Sequence, residues 1–252
     1  MFGFGKRELF KKNEPVQRVI DMLGCPYQYF REGTNIDVIM SAYNEAFARR
    51  EMDGCTPLII VDNMYFQTDD SYPEFVENLK SRREQLLSSP QIDTRKWFVD
   101  KLTEEKNGFG EYWKKVVGEV VGEPEDAARG FHGFVNFGTK KSVECVLAKI
   151  PVTNPWEVFA WLPFGGWNEC PPPEEIIWIA KYWYEKYGAV PAVMTCDILE
   201  FAARPVKDKT AALDLALEQF AFCEDNVFQG VDTIGRLAGR LMQSSVWYFW
   251  WD

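Results

Sequence analysis

The sequence predicts an α/β (α+β) fold: a mixed sheet with an antiparallel meander, flanked by helices and laid out as two pseudo-repeated α/β halves. Three observations predict it. Short aliphatic runs bounded by turn residues, such as Pro57–Val61 and Pro191–Thr195, have the composition of buried strands. Longer stretches, such as Asn35–Glu51, place apolar residues at helical spacing. One layout also occurs twice. A helix ends in Gly54-Cys55-Thr56-Pro57 before LIIVDNMYF, and another ends in Gly188-Ala189-Val190-Pro191 before AVMTCDILEF. In each, an Asp, an aromatic and a further helix follow the strand. The layout is either a duplication with a crevice between its halves or ordinary α/β punctuation.

Residues 1–14 are basic and dotted with aromatics, and are expected to form a flexible tail. Pro15–Leu23 reads as a short helix and Tyr27–Phe30 as a short strand. In Asn35–Glu51, Ile36, Ile39, Met40, Tyr43, Ala46 and Phe47 share a face, and Gly54 ends the helix. The strand Pro57–Val61 is bounded by Asp62-Asn63. Helices are predicted over Ser71–Ser89, with Pro73 near its start and Val76, Leu79, Leu86 and Leu87 inward, and over Thr94–Lys106 and Glu111–Val121. Phe131–Phe137 and Val143–Val152 read as a hairpin around Gly138–Lys141. Trp156–Phe164 reads as a third strand, apolar on both faces. These three are expected to form the meander.

Gly165-Gly166 then turns the chain toward a helix over Glu174–Tyr187. Asn168 or Cys170 is its expected cap, and Pro171–Pro173 suit its first turn. After the strand Pro191–Thr195, Ile198–Ala202 either continues it or returns beside it. Helices follow over Lys209–Ala221, opening near Asp208, and Thr233–Met242, capped by Asp232 or Thr233. The last stretch, Val246–Asp252, holds five aromatics in seven residues and would be an aggregation hazard if exposed. It is expected to be a core strand, a partner-binding strand or both. Trp247, Phe249 and Trp251 share one face, and the strand is expected beside Trp156–Phe164. The domain reading is a tail (1–14), a helix-rich N-terminal half (15–130) and a C-terminal α/β domain (131–252), the halves packed as one unit.

Composition narrows the function. The 252 residues are 46% hydrophobic, ample for a packed core, and carry a net charge of −10. That charge disfavours nonspecific nucleic-acid binding, which needs Lys and Arg. The six cysteines stand singly, without a CxxC pair, so a zinc ribbon or thioredoxin-type site is unsupported. No secretory h-region opens the sequence and no apolar run is long enough to span a bilayer, so a cytoplasmic protein is expected. No cofactor, metal, nucleic-acid or membrane partner is predicted, and oligomeric state is open.

The glycine turn at Gly165-Gly166 is a place to hold a ligand, but Glu169, Glu174 and Glu175 crowd the same helix end and would repel phosphate. His132, the only histidine, is either a general base or a structural residue; no Ser or Cys nucleophile pairs with it by sequence. Candidate ligand or partner contacts are Trp167, Asn168, Glu169, Asp197, Asp225, Gln229 and Asp252. Glu218, Gln219 and Glu224 stand out similarly inside aromatic motifs. Brought together, such groups bind a cation or act as an acid–base pair; otherwise they cap helices and anchor loops.

WEVFAWLPFGGWNECPPP, VPAVMTCDILEF, LALEQFAFCEDNVFQG and the terminal VWYFWWD resemble a bacterial family called domain of unknown function 4253, over about Val143–Asp252. The resemblance implies a cytosolic bacterial α/β domain and brings no activity with it. Two functions fit the residues. A protein-interaction module, such as an immunity-type inhibitor of a basic toxin, suits the acidic charge and abundant aromatics. A small-ligand binder or hydrolase-like enzyme would use the turn near Gly165–Glu169. A structural domain fused to variable partners is a third reading.

Overall fold

The structure, a computed structural model, describes residues 14–61, 72–122 and 127–252. Residues 1–13 of the predicted 1–14 tail, the Asp62-Asn63 strand end, Ser71, and the side chains of Pro73 and Val76 lie outside the described residues; Glu14 belongs to the first helix. The first helix, α1 (Glu14–Leu23), leads through Gly24 to β1 (Tyr27–Phe30). Next comes α2 (Ile36–Asp53), whose Asn35 side chain accepts the Asp37 N–H at 2.8 Å. It ends on Gly54 at φ 62°, a left-handed conformation that favours glycine, and β2 (Thr56–Val61) follows. The next helices are α3 (Tyr72–Leu87), α4 (Thr94–Phe109) and α5 (Trp113–Val117). The predicted helix Glu111–Val121 therefore stops short: Gly118 at φ 62° turns the chain out of helical geometry.

The predicted hairpin is largely replaced. Only β3 (Val135–Asn136) and β4 (Lys141–Ser142) pair, as a two-stranded ribbon, and His132 precedes β3. The next strand, β5 (Cys145–Ile150), leaves the ribbon and inserts between β1 and β2, antiparallel to both. Trp156–Phe164 is not a strand. Pro155–Glu157 form a 3₁₀ turn and Val158–Trp161 a short helix, α6. Val158, Phe159, Ala160 and Leu162 are all buried, and a segment buried on every side shows no periodicity to separate strand from helix.

The chain continues as α7 (Pro173–Tyr187), β6 (Val190–Met194) and β7 (Ile198–Ala202). Pro173 occupies the first turn of α7, and neither Asn168 nor Cys170 caps it; the cap position is Pro172, with no side-chain bond. After α8 (Lys209–Phe222), capped by Asp208, a π-helical turn over Val227–Val231 leads to α9 (Ile234–Leu241), capped by Thr233, and then β8 (Val246–Trp250). The sheet order is β1-β5-β2-β6-β7-β8, parallel at β2/β6 and antiparallel elsewhere. Ile198–Ala202 is thus a return strand, and the meander is β6-β7-β8. The terminal strand pairs with β7 rather than with Trp156–Phe164.

Helices cover both faces of the sheet. Leu58 and Ile60 of β2 point into a large core with Ile176, Ile177 and Trp183 of α7. Ile59 and Val61 point the other way, into a smaller core with Ile39, Tyr43 and Ala46 of α2. The twice-used layout acquires a spatial counterpart. Gly54 and Gly188, both left-handed, feed the two parallel central strands, with Ile59 opposite Val193. The copies diverge afterwards, because β6 is followed by β7 and not by a helix.

Close backbone packing fixes α9. Its Gly235 and Gly239, one turn apart, lie against the segment after α5. A Cβ on Gly239 would meet the Val121 carbonyl oxygen at 2.2 Å, and one on Gly235 the Glu119 oxygen at 2.1 Å. Helix propensity alone predicts that Gly239→Ala stabilises by about 1 kcal/mol. The contact reverses the sign, and a loss of about 1–3 kcal/mol is expected in urea denaturation. A stabilised variant would show that the segment yields freely.

Candidate functional site

The site begins with the edge of the sheet. In the β7/β8 ladder, Ala203 N–H donates to the Ser245 carbonyl and Trp251 N–H to that of Asp197. Odd-numbered residues of β8 therefore bond inward to β7, and the backbone groups of Val246, Tyr248 and Trp250 face the open edge. That edge is closed at both ends. Val246 N–H donates to the Ala128 carbonyl at 3.2 Å; the Cys223 thiol donates to the Trp250 carbonyl at 3.1 Å; Asp252 N–H reaches Asp225 Oδ2 at 3.4 Å. Tyr248 lies between these closures.

A cavity of about 290 Å³ opens here, between β8, the C-terminal end of α8, the π-helical turn, α9 and the loop before β3. Among its lining residues are Gln219, Asn226 and Trp247. Gln219 Nε2, Asn226 Nδ2 and Trp247 Nε1 are buried nitrogens with no hydrogen-bond partner among the described residues, and Gln219 is only 1% exposed. Arg240 also lines the cavity and forms no ion pair with any described residue. Phe137, Leu237, Leu241 and Trp250 supply apolar wall.

Glu200, opposite Tyr248 in the ladder, is a fully buried carboxyl in the same lining. Its Oε1 accepts the His132 N–H at 2.9 Å and its Oε2 the Gly133 N–H at 3.0 Å. Burial pushes its pKa up from 4.5 to about 7, while the two backbone donors pull the other way. Burial and the Glu200 charge push the Tyr248 phenol to about 12. His132 is held below its ordinary value by burial and by Arg240 and Lys140. No Ser or Cys thiol is placed beside His132 as a nucleophile would be by any described hydrogen bond.

The residues named from sequence gather near this end of the sheet. Gln229 Nε2 donates to Asp225 Oδ1 at 2.7 Å, and both residues line the cavity. Asp197 caps the β6–β7 turn, accepting from Thr195 Oγ1 at 2.8 Å and from Trp250 Nε1 at 3.3 Å. Asn168, at φ 46°, donates its amide to the Asp252 carbonyl, and Trp167 stacks edge-on against Trp251 with ring centres 6.2 Å apart. Trp167, Asn168, Glu169, Asp197 and Asp252 do not line the cavity. Glu169 is exposed and stands near Glu105 and Glu224. Glu218 is engaged structurally: Lys186 Nζ at 2.7 Å, the Tyr182 hydroxyl at 2.8 Å and Trp183 Nε1 at 3.1 Å all donate to it.

Glu200, Asn226, Arg240 and Tyr248 join the cavity without standing among the residues singled out by sequence. A signal existed for Glu200, the lone charge inside the apolar run Ile198–Ala202. Arg240 and Tyr248 gave none, because the cavity forms where β8 returns against α9.

The molecule is thus a mixed α/β protein with a ligand-sized cavity at one edge of its sheet. Its C-terminal part, residues 146–252, matches the family model described as Domain of unknown function (DUF4253). The match covers the cavity from Glu200 to Trp250, whereas Ala128, Gly130, His132 and Phe137 fall outside it. No curated protein and no solved structure matches the chain. Among the described residues, no helix is long and apolar enough to cross a membrane.

Proposed function

We propose that this protein binds a small polar ligand in the cavity at the β8 edge. One observation carries the reading: three residues that line a single cavity, Gln219, Asn226 and Trp247, each carry a buried side-chain nitrogen without a partner among the described residues. Buried donors are almost always satisfied, so such a cluster calls for a partner from outside the protein. This reading places the ligand beside the terminal strand, whereas the alternative read from sequence uses the Gly165–Glu169 turn. Six free cysteines and the acidic composition fit a bacterial cytoplasmic protein.

Native mass spectrometry on protein purified gently from its own cells tests this. A small stoichiometric extra mass is expected, and Gly130→Trp should abolish it. Gly130 lines the cavity and a Cβ there meets nothing within 4 Å, so a bulky residue is accommodated at this position without displacing backbone. Bare protein in both cases would overturn the reading.

One feature favours the interaction module instead. Glu105, Glu169, Glu224 and Asp225 lie close enough to interact, and burial together with their mutual repulsion raises the pKa of Glu105 and Glu224. Such an acidic surface suits a basic protein partner, as an immunity-type inhibitor would need. In the same spectrum, a protein-sized extra mass lost at high salt would support this reading over the first.

A further inference from the structure

Resting on the small-ligand reading, we infer that the cavity takes a short N-acyl amino acid, its amide paired to the Tyr248 backbone and its carboxylate held by Arg240. The open part of the sheet edge carries the argument. A β8 residue of outward phase offers an N–H and a C=O to the same side, which is the complement of one extended amino-acyl residue. The edge cannot be extended further. Ala128 closes it at Val246, and Cys223 and Asp225 close it at Trp250 and Asp252. A long peptide strand is therefore excluded, while a ligand one residue long fits the roughly 290 Å³ available.

The polar lining sets the charge. Arg240 can only donate, and the Gln219 and Asn226 amides can donate as well. Arg240 lies near Tyr248 and His132 and has no carboxylate of its own among the described residues. A guanidinium in this position favours a carboxylate and repels an ammonium, so the ligand's nitrogen is acylated. The two carboxyls in the lining are already engaged: Glu200 accepts from two backbone N–H groups, and Asp225 accepts from Gln229 Nε2 and from the Asp252 N–H. Leu237, Leu241 and Phe137 provide room for an apolar side chain.

Isothermal titration of the full chain with three probes tests this: N-acetyl-L-leucine, N-acetyl-L-leucinamide, which lacks the carboxylate, and 4-methylpentanoate, which lacks the amide. The first is expected to bind at least tenfold tighter than either of the others. Arg240→Gln should erase its advantage over the leucinamide, and Arg240→Lys should keep part of it, with unchanged melting temperatures showing that both variants fold. Equal binding of 4-methylpentanoate would overturn the amide pairing, and undiminished binding by Arg240→Gln would overturn the carboxylate assignment. A neutral amide or an amine that binds instead, and is blocked by Gly130→Trp, would overturn this inference while leaving the small-ligand reading standing. If no compound shows Gly130→Trp-sensitive binding, both fall.

Discussion

Trp183→Ala is expected to cost about 4 kcal/mol of folding stability, the middle of the range for truncating a buried aromatic. Trp183 on α7 is fully buried at the centre of the larger core. It stacks on Phe249 with ring centres 5.5 Å apart, and meets Phe222 at 5.0 Å and Trp247 at 5.6 Å edge-on. Its removal opens a hole where α7, α8 and β8 converge, and it leaves Glu218 Oε2 without its indole donor. Trp183→Phe keeps much of the ring packing and loses only that donor and some volume, so a smaller loss of about 1–2 kcal/mol is expected. Chemical denaturation of the three proteins gives the comparison. Equal losses would mean that the hydrogen bond to Glu218, and not the packing, dominates.

Stability should fall as pH rises from about 4.5 to about 7, and Glu200 is the expected cause. Its folded-state pKa is raised, so between those limits the native protein holds a proton that the unfolded chain has released. Stability then declines with pH, fully retained below the unfolded value and lost as pH passes the folded one. A carboxyl held near 7 instead of 4.5 corresponds to about 3 kcal/mol across that window. Glu200→Gln should flatten this part of the profile, because a side-chain amide still accepts from the His132 or Gly133 N–H but does not titrate. Urea midpoints measured every half pH unit suffice. An unchanged slope in Glu200→Gln would assign the decline to another group.

The elements that could be read locally were those with sharp ends and a single buried face. Asn35–Glu51 and Lys209–Ala221 carry their own caps, and Pro57–Val61 and Pro191–Thr195 sit between glycine and turn residues. Alternation along Val246–Trp251 separated buried Trp247, Phe249 and Trp251 from half-buried Tyr248 and Trp250. Trp156–Phe164 misled for the opposite reason, since burial all around removes the period that distinguishes α6 from a strand. The hairpin misled because Cys145–Ile150 has two better partners, β1 and β2, which are remote in sequence. The candidate site divides in the same way. Asp225 and Gln229 stood out as polar residues in an aromatic motif and do line the cavity. Arg240 and Tyr248 are ordinary members of a helix and a strand until the two meet.

The position of β2 has a consequence for how the chain is made. All six of its residues are buried, and its neighbours β5 and β6 both lie far downstream. About 130 residues separate its end at Val61 from the start of β6 at Val190. At ribosomal speeds of about 5–20 residues per second, β2 waits roughly 6–26 s before its last neighbour emerges. For that time a Leu-Ile-Ile-Val run has at least one sheet edge uncovered on a nascent chain, and both until β5 emerges, within reach of any other exposed strand. Chaperone capture in that interval would shape the yield of folded protein more than the stability of the finished sheet does.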